Sequence, residues 1–335
     1  MYSSLRYLLL LFLLVTYPAV AQKSKPIPVI FDTDMGPDYD DVGAITMLHA
    51  YADAGRVTLL ATIASSKYPR VVPVLSVLNT YFGRPALPIG VPKGWAVTDA
   101  DKQHWSDTLV ARYPHSFKTN EAAPAAVTLY RQLLAARPDR SVTIITVGFL
   151  TNLANLLQSP ADHYSPLTGQ QLVTRKVKQL VSMAGKFPAG HEYNVHRDTT
   201  ASRIVYTEWP TPMLLSGFEI GAAIKTGLPL VQNSAIKNSP VKDVFRISLP
   251  FSDEDHAGRM SWDQTAVLVA VEGTEPYYTV QTGRLILGPN GSNTWDATGK
   301  GQAHLVVKRP PAEVQAHIDK LMQHQTGTKS ERVKE

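Results

Sequence analysis

The chain has 335 residues, no cysteine and a formal net charge of +5. Without cysteine it has neither a disulfide nor a lipid-modified cysteine, so its stability must come from a large apolar core. The basic residues are scattered rather than run together, which excludes the dense basic face of a nucleic-acid or membrane-surface protein.

Residues 1–21 read as a secretory signal peptide. Arg6 supplies the positive n-region, residues 7–15 are an apolar run too short to span a bilayer, and Ala19-Val20-Ala21 is a small-x-small cleavage site. Cleavage there leaves Gln22 first. The expectation is export, to the periplasm or the medium, with no membrane attachment afterwards. About 310 residues remain, enough for one large domain or two small ones.

Apolar runs then alternate with helical patterns, as in a mostly parallel sheet flanked by helices. Residues 27–31 form a first buried strand. Residues 40–54 form a helix whose apolar side carries Ala44, Ile45, Leu48 and Ala52. A strand over 57–64, a helix over 71–82 and a short strand over 87–91 follow. A helix over 122–136 stops at Pro138. Residues 142–147 are a fourth strand, 150–157 start a helix, 177–183 are a fifth strand, 200–206 are helical and 213–215 are a sixth strand. From about residue 222 the pattern loosens. Residues 263–271 read as a helix, 277–287 as strands of a hairpin, and 304–307 as a last strand followed by a helix to about 321. No repeat or linker divides the chain. The expected fold is a single large α/β domain over 22–322, with a mostly parallel open sheet flanked by helices and a polar, disordered tail over 323–335.

The first strand runs into five aspartates within ten residues: Asp32, Asp34, Asp38, Asp40 and Asp41. In open α/β sheets, ligands bind outside the carboxyl ends of the strands, so this is where chemistry is expected. Carboxylates this crowded repel unless something compensates them. The N-terminus of the following helix is one compensation. A hard cation is the other, and calcium favours several oxygen ligands in a flexible geometry. Capping of the helix by Asp38 or Asp40 accounts for one or two aspartates but not five. An EF-hand is excluded, because Gly36 follows Asp34 too soon and no bidentate Glu closes a twelve-residue loop. A phosphohydrolase of the haloacid dehalogenase type also opens on strand-Asp-x-Asp-x-Gly. In that scheme, however, Pro37-Asp38 and the further aspartates have no role.

Asp32-Thr33-Asp34-Met35-Gly36 with Asp40-Asp41 resembles the opening of the inosine-uridine-preferring nucleoside hydrolase family, with Pro37-Asp38-Tyr39 lengthening the connection. The resemblance recurs in order along the chain. Val147-Gly148-Phe149-Leu150-Thr151-Asn152 is similar to a strand-to-helix turn, Ser182-Met183-Ala184-Gly185 to a strand end, and Glu192-Tyr193-Asn194 with Asp198 to a Glu-Phe-Asn-x-x-x-Asp block. Ser261-Trp262-Asp263 is similar to a late helix start. It covers roughly residues 27–271.

The resemblance implies calcium-dependent hydrolysis of a ribonucleoside to ribose and free base. It implies that Asp34, Asp41, Asp263 and the Val147 carbonyl bind calcium, and that Asp34 also removes a proton from water. Asp40, Glu192 and Asn194 would hold ribose hydroxyls, and Met183 would border the substrate. Trp262 stands where many members carry His, and a stacked purine is the weakly preferred base. Thr151 and Asp198 also read as helix caps. Trp95, His104 and Trp105 lie in a segment able to cover the site, Lys67 and Tyr68 stand where a substrate-binding Asn was sought, and His191 and His196 flank the Glu192 block. The resemblance leaves a homo-oligomer open. Two other functions stay open: an exported nucleoside- or sugar-binding protein that keeps the cation site without turnover, and the phosphohydrolase.

Overall fold

The computed structural model describes residues 25–326. The expected signal peptide, and the tail beyond 326, lie outside the described residues. Strand β1 (Ile27–Thr33) sends Val29 and Phe31 into one apolar core and Ile30 into another. That is the period of two of a strand buried on both faces. After it come α1 (Asp40–Asp53), β2 (Val57–Ala64), α2 (Val71–Tyr81), β3 (Ile89–Gly90), α3 (Trp105–Arg112) and α4 (Ala126–Ala135). The middle of the chain supplies β4 (Val142–Thr146), α5 (Thr151–Gln158), α6 (Gly169–Lys176), β5 (Val177–Met183), β6 (Ala189–His191), α7 (Tyr193–Arg197), α8 (Thr199–Glu208) and β7 (Met213–Ser216). Then follow α9 (Phe218–Ala222), β8 (Lys225–Thr226), α10 (Leu228–Gln232), α11 (Pro240–Ser248), β9 (Arg259–Met260) and α12 (Trp262–Glu272). The last elements are β10 (Tyr278–Leu287), β11 (Ser292–Asp296), β12 (Gln302–Val307) and α13 (Pro311–Met322).

The main sheet has ten strands in the order β3-β2-β1-β4-β5-β7-β12-β10-β11-β6. Pairings from β3 through β12 are parallel, and the three beyond are antiparallel. One face is covered by a core that takes in α1, α2, α11, α12 and α13, the other by a core that takes in α4, α5, α6 and α8. This is the expected α/β domain. No described helix is long and apolar enough to cross a membrane.

The sheet order creates the site. From β1 the chain moves outward through β2 to β3, then returns to the other side of β1 as β4 and moves the opposite way. The loops leaving β1 and β4 therefore diverge and open a crevice at their carboxyl ends. Helices α1 and α12 enter that crevice together. Both are apolar enough to pack side by side within the core. Gly43 faces α12, and a Cβ there would stand 2.5 Å from the Gln264 Nε2, so that side chain would have to shift. Close packing aims both helix N-termini at one point.

Several elements differ from expectation for local reasons. The helix expected from 122 starts at Ala126, because Pro124 holds Ala123 extended and leaves only a turn of 3-10 helix over Asn120–Ala122. The strand expected over 87–91 shrinks to Ile89–Gly90, beside Pro88, which has no N–H to donate. Residues 277–287 give one strand, β10, whose hairpin partner is β11 across Asn290-Gly291. Of the tail expected to be disordered, residues 323–325 are tied down: His324 Nε2 meets Asp53 Oδ2 at 2.7 Å, and Tyr81 donates to Gln325 Oε1 at 2.5 Å.

Candidate active site and cation centre

The crevice is a cleft of about 960 Å³, and all nine site residues expected from the sequence line it. Its floor is acidic. Asp40 and Asp41 open α1, and Asp263 stands in the first turn of α12. One carboxylate oxygen from each lies within 4.8 Å of the others, and all three residues are buried. This trio shares Asp41 and Asp263 with the expected cation set and adds Asp40, which was expected to face ribose. Asp34 lines the same cleft from the end of β1.

The helix termini explain the arrangement. Asp40 Oδ2 accepts from the Asp263 N–H at 3.1 Å, so one helix start holds a carboxylate of the other. Asp41 accepts from the Thr33 hydroxyl and from the Met35 N–H. None of these aspartates caps α1: its cap position is Tyr39, with no side-chain bond, and Asp38 instead pairs with Arg259. Capping therefore does not account for the cluster.

Burial raises the pKa of Asp34, Asp40 and Asp263 well above the ordinary carboxylate value, and the neighbouring aspartates raise each further. Asp41 is raised to about 6, again by burial, against the hydrogen bond from Thr33. Four buried acids that resist ionising together form a donor set suited to a hard divalent cation, whose charge would restore their anionic forms. The residues present fit such an ion.

The β4 exit forms one side. The Val147 carbonyl, expected to meet the cation, accepts from Asn194 Nδ2 at 3.0 Å; a carbonyl keeps a second lone pair. Gly148 passes so close to β1 that a Cβ there would lie 2.4 Å from the Asp34 nitrogen. Asp32, two residues before Asp34, does not line the cleft and is fully buried. It accepts from Tyr130 at 2.8 Å and Asn152 at 3.1 Å, and burial lifts its pKa to about 7 against those bonds. It is a structural acid that ties β1 to α4 and α5.

Glu192 caps α7: its carboxylate accepts from the backbone N–H groups of Asn194, Val195 and Gly185 at 2.8, 3.1 and 3.3 Å. Burial raises its pKa to about 7, with those bonds opposing. It was read only as a sugar contact, and its capping role was missed. Asn194 also reaches the Met183 sulfur at 3.6 Å. Asp198 caps α8 through Ala201 N, as expected. Thr151 does not cap α5; its hydroxyl donates to Asp198 at 2.5 Å.

The opposite wall is aromatic and cationic. Trp262 donates to the Phe218 carbonyl at 2.8 Å, and the two rings are 5.2 Å apart at 31°. The Arg259 guanidinium carbon stands 5.0 Å from the Trp262 ring and 5.0 Å from the Tyr39 ring. Arg259 also contacts Asp255, which accepts from Tyr39 at 2.7 Å. Burial lowers the Arg259 pKa, but Asp38, Asp40 and Asp255 outweigh it and raise the net value.

Asp99, Ala100, Lys102 and Gln103 also line the cleft. Asp99 accepts from Tyr193 at 2.5 Å and from Arg197 at 2.7 and 2.6 Å, clasping that segment to α7. Of the aromatic residues expected to cover the site, Trp105 is buried in the core instead, and Trp95 is 67% exposed. Tyr68 bonds Asp101 and Ser106 rather than the cleft. His191 and His196 pack on each other and line no part of it. Phe218, Asp99, Arg197 and Arg259 carry no signal in the sequence, because Asp99 lies in a loop and the others in elements of two to five residues, too short for a periodic pattern.

Known proteins with this chain's sequence pattern share its architecture. A family model described as inosine-uridine preferring nucleoside hydrolase matches residues 29–325. Curated relatives of that description from Leishmania major and Crithidia fasciculata are 24% and 23% identical over 200 residues. The match spans 56% of this chain and 60% of each relative's length. Among solved structures, a purine-preferring ribonucleoside hydrolase from Gardnerella vaginalis superposes with a TM-score of 0.69 at 16% identity, over 88% of this chain and 99% of that one. With that model matching nearly the whole described chain, the chain belongs to the inosine-uridine preferring nucleoside hydrolase family.

Proposed function

We propose that the protein hydrolyses the N-glycosidic bond of ribonucleosides to ribose and free base, with calcium as its cation. The observation that carries the reading is the convergence of Asp40, Asp41 and Asp263 beneath a cleft walled by hydrogen-bonding groups and aromatic rings. Asp34, Asp41, Asp263 and the Val147 carbonyl would hold the ion, and the geometry adds Asp40 as a candidate. When bound, a hard cation supplies Lewis acidity to water and sugar oxygens.

The chain's own groups do the rest. Asp34, restored to its anionic form by the cation's charge, takes a proton from the attacking water. Bond cleavage builds oxocarbenium character on the sugar, and the electron pair leaves with the base nitrogen. The anionic floor faces that developing positive charge. Asp40, Glu192 and Asn194 orient the sugar, so binding energy serves the transition state. Met183 packs beneath Asn194 and steadies its amide. Trp262 and Phe218 offer an aromatic surface to the departing base, which supports a weak purine preference.

Release of free ribose from inosine, adenosine, guanosine, uridine and cytidine, with calcium and with EGTA, tests this. Calcium-dependent release supports the class, and the ranking of bases tests the purine preference. Binding of nucleosides without release from any of them would overturn hydrolysis and favour the binding-protein reading. We also propose export through residues 1–21. Mass spectrometry of the mature protein should find Gln22 at its start, and a retained Met1 would refute cleavage.

A further inference from the structure

The Arg259 guanidinium is held on all but one side. One end pairs with Asp38, the other meets Asp255 at 3.3 Å, and the rings of Tyr39 and Trp262 flank it. Its side chain is 14% exposed. Its Nε is buried and has no hydrogen-bond partner among the described residues. Asp40 Oδ1 stands 4.0 Å from it, too far for a direct bond. Asp40 cannot close the gap freely, because its other oxygen is held by the Asp263 N–H. Both residues line the cleft.

A donor and an acceptor 4.0 Å apart can be bridged by one group that both accepts and donates. A hydroxyl oxygen about 2.8 Å from each would subtend roughly 90° between them, an ordinary angle for a hydroxyl. A carbonyl cannot donate to Asp40, and an amine N–H offers no good acceptor to Nε.

We propose that Arg259 and Asp40 together read one ribose hydroxyl, and that Arg259 thereby sets the preference for ribose over a deoxy sugar. Asp38 and Asp255 act through Arg259: they orient its guanidinium so that Nε faces the sugar. The proposal rests on the nucleoside reading of the cleft.

The test uses the full chain with calcium, and inosine, 2′-deoxyinosine and 3′-deoxyinosine as probes. Arg259→Gln removes the charge and the Nε donor. Arg259→Lys keeps the charge near Asp38 and Asp255 but loses Nε, and covers the case in which Arg259→Gln fails to fold. kcat/KM is measured for each pair, with thermal melting as a check on folding.

The parent should prefer inosine to at least one analogue. Both variants should lose about 10- to 150-fold on inosine, the value of a hydrogen bond to a charged group, and change less than threefold on that analogue. An equal loss on all three compounds overturns the proposal, since Arg259 then only supports the fold. A preference that survives in the variants, or is absent from the parent, also overturns it. If the parent releases no base from any probe, the hydrolase reading fails by itself. Calorimetric affinities for the same three compounds then decide: a loss confined to inosine supports hydroxyl reading, and a uniform loss overturns it.

Discussion

Gly148 is where strand order and chemistry meet, and adding a single methyl group there should separate them. A Cβ at this position would stand 2.4 Å from the Asp34 nitrogen, 2.5 Å from Ser65 Oγ and 2.9 Å from Asp34 Cβ. Two of those three atoms are backbone or the root of a side chain, so no rotamer change relieves them. Ordinary carbon contacts begin near 3.5 Å, so the β1 exit and the β4 exit must part by about 1 Å. Overpacking of this kind costs about 1–3 kcal/mol. A shift of about 1 Å in a reacting group costs about 100-fold in rate. Gly148→Ala should therefore melt only a few degrees lower, yet lose roughly 100-fold in kcat for base release. Gly94→Ala is the control, since nothing lies within 4 Å of a Cβ there. Steady-state kinetics beside thermal melting makes the comparison. If Gly148→Ala keeps its kcat within threefold of the parent, Asp34 is not held by this contact, and its assignment as the base fails with it.

Other consequences are as direct. Asp263→Asn removes one of three converging carboxylates. It should weaken calcium binding by more than the roughly 100-fold that outer-shell changes cost, while raising the melting temperature in EGTA by relieving repulsion; calorimetry and melting check both. His49 is buried between Arg84 and Asn79, and burial together with the Arg84 charge lowers its pKa to about 3. Between the unfolded value of 6.5 and about 3, the unfolded chain binds more protons than the native one, so stability falls as pH falls. The parent should lose up to about 1.4 kcal/mol per pH unit below pH 6.5 from this residue, and urea unfolding of His49→Gln should show a shallower slope; identical slopes refute the argument. Tyr130→Phe removes a hydrogen bond from buried Asp32 and should cost about 1–3 kcal/mol of stability in urea, with calcium affinity kept.

How much of this was legible depends on where the stabilising partner of each residue lies in the chain. Parallel strands buried on both faces are continuous apolar runs, so β1, β2, β4 and β5 could be read directly and stand within a residue or two of expectation at each end. Helix α6 carried a legible signal that went unread. Thr168 and Gln171 form a reciprocal capping box ahead of it, the spacing that marks a helix start. The same holds for Ser239 before Pro240 at the start of α11. No such local signal exists for α3, whose Trp105 is placed by tertiary burial alone.

The acidic cluster shows the same division. Its existence was legible, because five nearby aspartates need a common compensation. The division of labour between Asp38 and Asp40 was not, because it is decided by residues more than 200 positions later. The Asp263 N–H holds Asp40 in the trio, while Arg259 draws Asp38 aside, and Tyr39 reaches across to Asp255. Asp38 and Tyr39 lie in the lengthened connection and dock on the segment around Arg259. The extra length therefore does not disturb the cation floor. It builds a second, cationic wall beside it, and a chain lacking Asp38 and Tyr39 would have no reason to keep a buried arginine there. Loss of Asp38 and Asp255 together should consequently leave the floor able to bind its ion and remove the orientation of Arg259. Calcium affinity would then hold while discrimination between ribose and deoxyribose falls, a separation that a single undivided acidic site could not produce.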